Sequence, residues 1–93
     1  DIFYVEGMKD YIKIVCRDKS IITYMRMKAI EDILPQDQFM RIHKSYIVRL
    51  QAIKSIMGNT VEVVIGQSVI ISKASRQDLK RLLGIANYNE EED

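Results

Sequence analysis

The residues best equipped for chemistry in this chain sit close together. "RIHKSYIVR", residues 41 to 49, sets the only histidine, His43, among Arg41, Lys44 and Arg49 with no acid between them. A metal site needs several His, Cys, Asp or Glu ligands at workable spacing, and neither His43 nor the single cysteine, Cys16, has a second ligand near it. Nucleophilic catalysis would use Ser45, two residues from His43 and on the same face of a strand. No Gly-rich elbow and no partnering acid accompanies that pair, so no catalytic residue is expected. Gly7, Gly58, Gly66 and Gly84 are too scattered to cradle a phosphate, and Glu31-Asp32 reads as a helix exterior rather than an acid–base pair. No metal and no cofactor is expected either. Two readings of the cluster stay open on composition: a strand edge armed with cations against aggregation, or a surface that meets a polyanion.

Charge is unevenly spread along the chain. The formal net charge is +1, yet residues 38 to 77 hold Arg41, Lys44, Arg49, Lys54, Lys73 and Arg76 against one acid, Glu62. The balance is restored mainly by the terminal "EEED", read as an acidic disordered tail at 90–93 beyond a domain at 1–89. At 93 residues and 47% hydrophobic content the chain suits one small domain. No apolar run approaches the roughly 18 residues of a membrane span, and the N-terminus lacks the sections of a signal peptide, so the chain reads as cytoplasmic with no membrane partner. Cys16, in the alternating run "YIKIVCR", reads as a buried strand thiol.

The elements that must position the cluster follow from periodicity. "IFYVEG" (2 to 7) and "YIKIVCR" (11 to 17) are strands joined by the loop "GMKD", the second with Ile12, Ile14 and Cys16 on one buried face. Asp18-Lys19 turns into a third strand, "SIITYM" (20 to 25). "RMKAIEDIL" (26 to 34) changes to helical period, with Met27, Ile30, Ile33 and Leu34 inward, Glu31 and Asp32 outward, and Pro35 as the stop. In 41 to 50, strand parity puts Ile42, Tyr46, Val48 and Leu50 on one face and Arg41, His43, Ser45 and Arg49 on the other; Lys44 is the misfit. That argues for a kink or bulge at His43-Lys44-Ser45 that turns those side chains outward. A helical register through Ile42, Tyr46, Leu50 and Ile53 also exists, but the β-branched content of "YIV" favours extended structure. Strands at 52–57, 60–65 and 68–72 follow, separated by the turn pairs Gly58-Asn59 and Gly66-Gln67. Ser75 and Asp78 stand at capping-box spacing at the start of a C-terminal helix with Leu79, Leu82 and Leu83 as its stripe.

"FMRIHKSYIV", after a short helix ending in "LP" and before a β-meander, resembles the signature of the LytTR family of DNA-binding domains, F-x-R-x-H-[RN]-S-[YF]-x-V-N. "DIFYVEGMKDYIKI" is similar to that family's opening strand, loop and second strand, and "VIISKASRQDLKRLL" to its last strand and helix, so the resemblance spans nearly the whole chain. It implies a mainly β fold: antiparallel strands in small sheets and hairpins, a short helix after the third strand and a C-terminal helix. It also implies a sequence-specific DNA-binding output domain of a bacterial two-component response regulator controlling transcription. Implied partners are double-stranded DNA at direct-repeat promoter sites bound by two copies, a receiver domain in the same protein, and a cognate histidine kinase acting on that receiver. The rival is a basic β-rich module that docks an acidic protein or membrane surface.

Carried over by position, the resemblance assigns base contacts to Met8 and Lys9 in the first loop, to the pair His43 and Lys44, and to Lys73 after the last strand. Arg41, Ser45, Arg49, Lys54 and Arg76 are then expected to hold phosphates and set register. Three positions depart from the family's habit. Arg49 stands where asparagine is usual, and Lys44 and Lys73 where arginine is frequent; lysine is a point charge without the planar fork that reads guanine most tightly.

Overall fold

The computed structural model describes residues 2–64 and 66–83. Among the described residues eight strands fall into two antiparallel sheets. The first is five-stranded in the order β3-β2-β1-β5-β4, built from β1 (Ile2–Gly7), β2 (Ile12–Cys16), β3 (Ser20–Thr23), β4 (Phe39–His43) and β5 (Tyr46–Arg49). The second is the meander β6 (Ile53–Met57), β7 (Thr60–Val63) and β8 (Ser68–Ile70). Helix α1 (Met27–Ile33) links β3 to β4, and α2 (Lys73–Leu82) follows β8. The mainly antiparallel β fold with two helices is the one expected; the acidic tail at 90–93 lies outside the described residues.

The large sheet is the middle layer, and this explains where simple alternation misleads. One core joins Phe3, Val15, Ile42 and Val48 to Ile56, Val61, Val63, Val69, Ile71 and Leu79, that is, to the meander and α2. The other joins Val5, Ile12, Phe39 and Ile47 to Ile30 of α1 and to Leu34, the C-cap of that helix. A sheet covered on both faces buries consecutive residues, so Phe3, Tyr4 and Val5 are all buried, as are Ile47 and Val48. For the same reason β2 does not keep one buried face. Ile12 goes to the helix side and Val15 to the meander side, and Cys16 is half-buried rather than buried.

Several boundaries differ from the sequence reading. The β2–β3 turn is at Arg17-Asp18, closed by the Cys16 amide donating to the Lys19 carbonyl at 2.8 Å. Ile30 of α1 and the C-cap Leu34 face the core, but Ile33 is 67% exposed. A helix turns 100° per residue, and Ile33 falls off the stripe that Ile30 and Leu34 define. Gly58 and Gly66 both have positive φ, at 57° and 88°. The second meander turn, however, is not the pair Gly66-Gln67, because the Val63 amide donates to the Gln67 carbonyl at 2.8 Å and so includes Gln67 in the pairing. Helix α2 starts before Ser75: Ser72 is its N-cap and its side chain accepts from the Ser75 amide, while Leu79 is buried and Leu82 lies 61% exposed.

Candidate nucleic-acid interface

The opening cluster is not one kinked strand but the tip of a hairpin. Strand β4 ends at His43, Lys44-Ser45 form the turn, and β5 begins at Tyr46. The ladder runs in regular steps through Phe39↔Arg49, Met40↔Val48 and Arg41↔Ile47, then slips to His43↔Tyr46, so the bulge sits at Ile42. Below it, Arg41, Ile47 and Arg49 share the face toward α1, and Met40, Ile42 and Val48 the face toward the meander. The slip turns His43 away from the Arg41 face to stand beside Tyr46, with ring centroids 5.8 Å apart. The parity drawn from sequence, with His43 beside Arg41 and Arg49, is therefore wrong at His43. A bulge flips every side chain beyond it, and the sequence has no mark at Ile42.

Two backbone hydrogen bonds bring the other expected contact regions to this tip. The Gly7 amide donates to the Ser45 carbonyl at 2.7 Å, which lays the β1–β2 loop carrying Met8 and Lys9 beside the turn. That loop is closed by the Met8 amide donating to the Tyr11 carbonyl at 2.7 Å. On the other side the Ser72 amide donates to the Ile42 carbonyl at 2.7 Å, so Lys73, the first residue of α2, starts next to the bulge. Met8, Lys9, Lys44 and Lys73 are exposed, and His43 is half-buried. Among the described residues none of the three lysines has an ion pair, so their charge faces solvent. The five residues assigned to bases thus gather at one end of the domain from three distant stretches of chain.

The phosphate set divides. Ser45 lies in the turn itself, and Arg76 is one helical turn into α2, its amide donating to the Ser72 carbonyl. Lys54 is exposed near the start of β6, beside Ala52, whereas the Met57 end of that strand is the one that approaches α2, through the Ile71 amide donating to the Asn59 carbonyl at 2.9 Å. None of the backbone hydrogen bonds that gather the tip involves the Lys54 end of β6. Arg49 is occupied internally: its Nε donates to the Ile2 carbonyl at 2.6 Å, an Nη1 donates to Gln38 Oε1 at 3.3 Å, and its Cζ lies 4.6 Å from the centre of the Phe39 ring. Holding the first strand and the β4 entrance together is a structural use of this departure from asparagine. Arg41 is also engaged, to Glu31 of α1 at 3.0 Å and to the Lys44 carbonyl at 2.6 Å.

Behind the tip stands a row of aromatic side chains. Tyr46 lies 6.4 Å from Tyr4, centroid to centroid, as well as beside His43. Burial, then the Glu6 carboxylate opposite Tyr46 in the ladder, holds both phenols above the ordinary tyrosine range. Sequence reasoning missed three residues here. Helical period places Glu31 outward, yet it is half-buried against Arg41; Gly7, a strand end by sequence, lies against Met27 and Ser45; and Ser72 caps α2. Only Ser72 left a sequence signal, a serine just before a helical stretch; the Glu31–Arg41 pair bridges ten residues that no local periodicity connects.

Among the described residues no group of three or more His, Cys, Asp or Glu is placed to hold a metal ion, and no helix is long and apolar enough to cross a membrane. The model of the LytTr DNA-binding domain family matches residues 1–84. Similar curated proteins include the sensory transduction proteins LytT of Bacillus cereus, 29% identical over 90 residues, and of Bacillus subtilis, 28% identical over 90 residues. Each alignment covers 91% of this chain and 37% of the relative, so the chain spans little more than a third of those proteins. A solved LytTr DNA-binding domain, from a Bacillus cereus protein described as a methyl-accepting/DNA response regulator, superposes with a TM-score of 0.77 at 25% identity. That superposition covers 89% of this chain and 81% of the other.

Proposed function

The chain belongs to the LytTr DNA-binding domain family, and from that premise we propose that it is the sequence-reading output domain of a bacterial response regulator that controls transcription. The observation that carries this reading is the convergence of three exposed loops on one end, joined by the hydrogen bonds from Gly7 to Ser45 and from Ser72 to Ile42. His43 and Lys44 at the hairpin tip, Met8 and Lys9 on the neighbouring loop, and Lys73 at the start of α2 form a projecting, positively charged edge suited to a DNA groove. Ser45 and Arg76 flank it and serve as phosphate anchors. Arg41 and Arg49, already bonded within the domain, shape the edge from behind. Lys54, away from it, contributes only to the general field.

The domain carries no chemistry of its own. In the full protein a receiver domain, phosphorylated through a cognate histidine kinase, governs when this surface meets DNA in the cytoplasm. With a formal charge of only +1, one copy binds nonspecific DNA weakly, and two copies on a direct repeat raise occupancy through effective concentration.

Selection from a random duplex library tests the proposal. Enrichment of a spaced direct repeat is expected, with Lys44→Ala and Lys73→Ala each costing about 1 to 3 kcal/mol on the selected site and relaxing its selectivity. Equal competition by a scrambled duplex at physiological salt would refute sequence reading and favour the acidic-surface alternative.

A further inference from the structure

The resemblance implies a phosphate contact for Arg41, but its guanidinium is turned to a different use. Nη1 donates to Glu31 Oε1 at 3.0 Å, Nη2 to the Lys44 carbonyl at 2.6 Å, and Nε lies 3.4 Å from the His43 carbonyl. One rigid planar group therefore grips two consecutive carbonyls of the tip while its far side is anchored on α1. Two peptide planes held this way set the directions in which the His43 and Lys44 side chains leave the backbone. The hold extends to the imidazole: the Ser45 amide donates to His43 Nδ1 at 3.1 Å. A ring nitrogen that accepts a hydrogen bond carries no proton, so the proton of the neutral ring sits on Nε2 and the ring offers a donor at its other end. Purine N7, guanine O6 and thymine O4 are the acceptors such a donor meets in the major groove.

We propose that Arg41, braced by Glu31, is a positioning residue for DNA reading: it fixes the aim of His43 Nε2–H and Lys44 Nζ at base edges and does not itself neutralise a phosphate. This rests on the DNA-reading function above. An ion pair with side chains 30% and 34% exposed adds little to global stability, so its loss shows in the tip's geometry rather than in folding.

Glu31→Gln separates the two roles of Arg41 by sign. If Arg41 were a phosphate contact, Glu31 would compete with DNA for it, and removing the carboxylate would strengthen binding to every duplex. If Arg41 positions the tip, removing its brace lowers the preference for the selected duplex over a scrambled one. Fluorescence anisotropy of the 93-residue chain, on the duplex enriched from a random library and on a scrambled duplex of the same composition, reads that ratio. The expected result is a roughly tenfold fall of the ratio in Glu31→Gln and in Arg41→Lys, the scale of one base discrimination, with the salt slope unchanged. Arg41→Lys keeps the charge but loses the planar fork, so a phosphate role would leave it near wild type. Imidazole nitrogen NMR supplies an independent readout: the Nε2–H form in the wild type, and a mixture of ring tautomers in Arg41→Lys. A ratio unchanged in both variants, with the salt slope of Arg41→Gln lowered by about one unit, overturns the positioning role alone. A wild type with no preference between duplexes overturns it together with the function on which it rests.

Discussion

Gly7→Ala tests whether close backbone approach holds the reading end together. Gly7 ends an extended strand, so its requirement is space rather than an unusual backbone angle. A Cβ there would lie 2.8 Å from Met27 Cγ and 3.1 Å from Met27 Sδ, with the Ser45 Cα at 3.5 Å. Carbon atoms in good contact stand about 3.5 to 4.0 Å apart, so the new methyl intrudes on Met27 by at least ~0.7 Å while meeting Ser45 at an ordinary distance. Cγ lies near the methionine backbone and cannot swing clear as the terminal methyl can. Either Met27 leaves its rotamer or the first turn of α1 moves. Overpacking of this kind costs about 1 to 3 kcal/mol. For a domain of this size each kcal/mol lowers the melting temperature by about 4 to 8 °C, so a fall of roughly 5 to 20 °C is expected by circular dichroism. Binding to the selected duplex, measured well below that midpoint, should weaken as well, because α1 carries the Glu31 that braces Arg41. Removing the obstacle supplies the control: the loss in Gly7→Ala/Met27→Ala should fall short of the sum of the two single losses by about 1 kcal/mol. An unchanged midpoint in Gly7→Ala, or losses that simply add, would refute the packing argument.

Three further outcomes are expected. Ser72→Ala removes the side chain that accepts the Ser75 amide and should lower stability by about 1 kcal/mol in chemical denaturation; no change would mean that water replaces the cap fully. Lys54→Ala should leave affinity for the selected duplex within about 0.5 kcal/mol of wild type, whereas a loss as large as that of Lys44→Ala would put β6 against the DNA. The raised Tyr4 and Tyr46 phenols bind their protons more tightly in the folded than in the unfolded chain. Their contribution is fully present below the ordinary value of 10.0, and stability falls as pH rises from there through the folded values. Glu6→Gln removes one cause of the shift, so its phenolate absorbance should appear at lower pH than in the wild type; an identical titration would contradict the assigned cause.

Local signals served well wherever one residue type answers one local demand. Gly58 and Gly66 mark positive φ, Pro35 ends α1, and the runs read as strands at 2–7, 11–17 and 60–65 hold Ile2–Gly7, Ile12–Cys16 and the shorter Thr60–Val63. Burial was harder to read, because the large sheet is covered on both sides and period-2 alternation loses its meaning there, as Val15 and the adjacent pair Ile47-Val48 demonstrate. At the ends of helices the stripe extended too far in both cases, at Ile33 and Leu82, since helical period alone does not say how wide a face the core covers.

The residue types, their order and their charge were enough to exclude a clustered metal or nucleotide motif, to place a positive middle segment and, through the "FMRIHKSYIV" signature, to suggest the family that the comparison then established. Those are properties of composition and short-range spacing, which the linear chain carries in full. Which cations face solvent was decided only by the tertiary structure. Arg41, Lys44, Arg49 and Lys54 look alike in sequence, yet Lys44 projects from a turn, Arg41 grips the carbonyls of His43 and Lys44, Arg49 holds Ile2 and Gln38, and Lys54 stands exposed on β6. The difference comes from a bulge at Ile42, next to the His43-Lys44-Ser45 segment where the misfit of Lys44 points, and from hydrogen bonds between segments tens of residues apart, which no local pattern encodes.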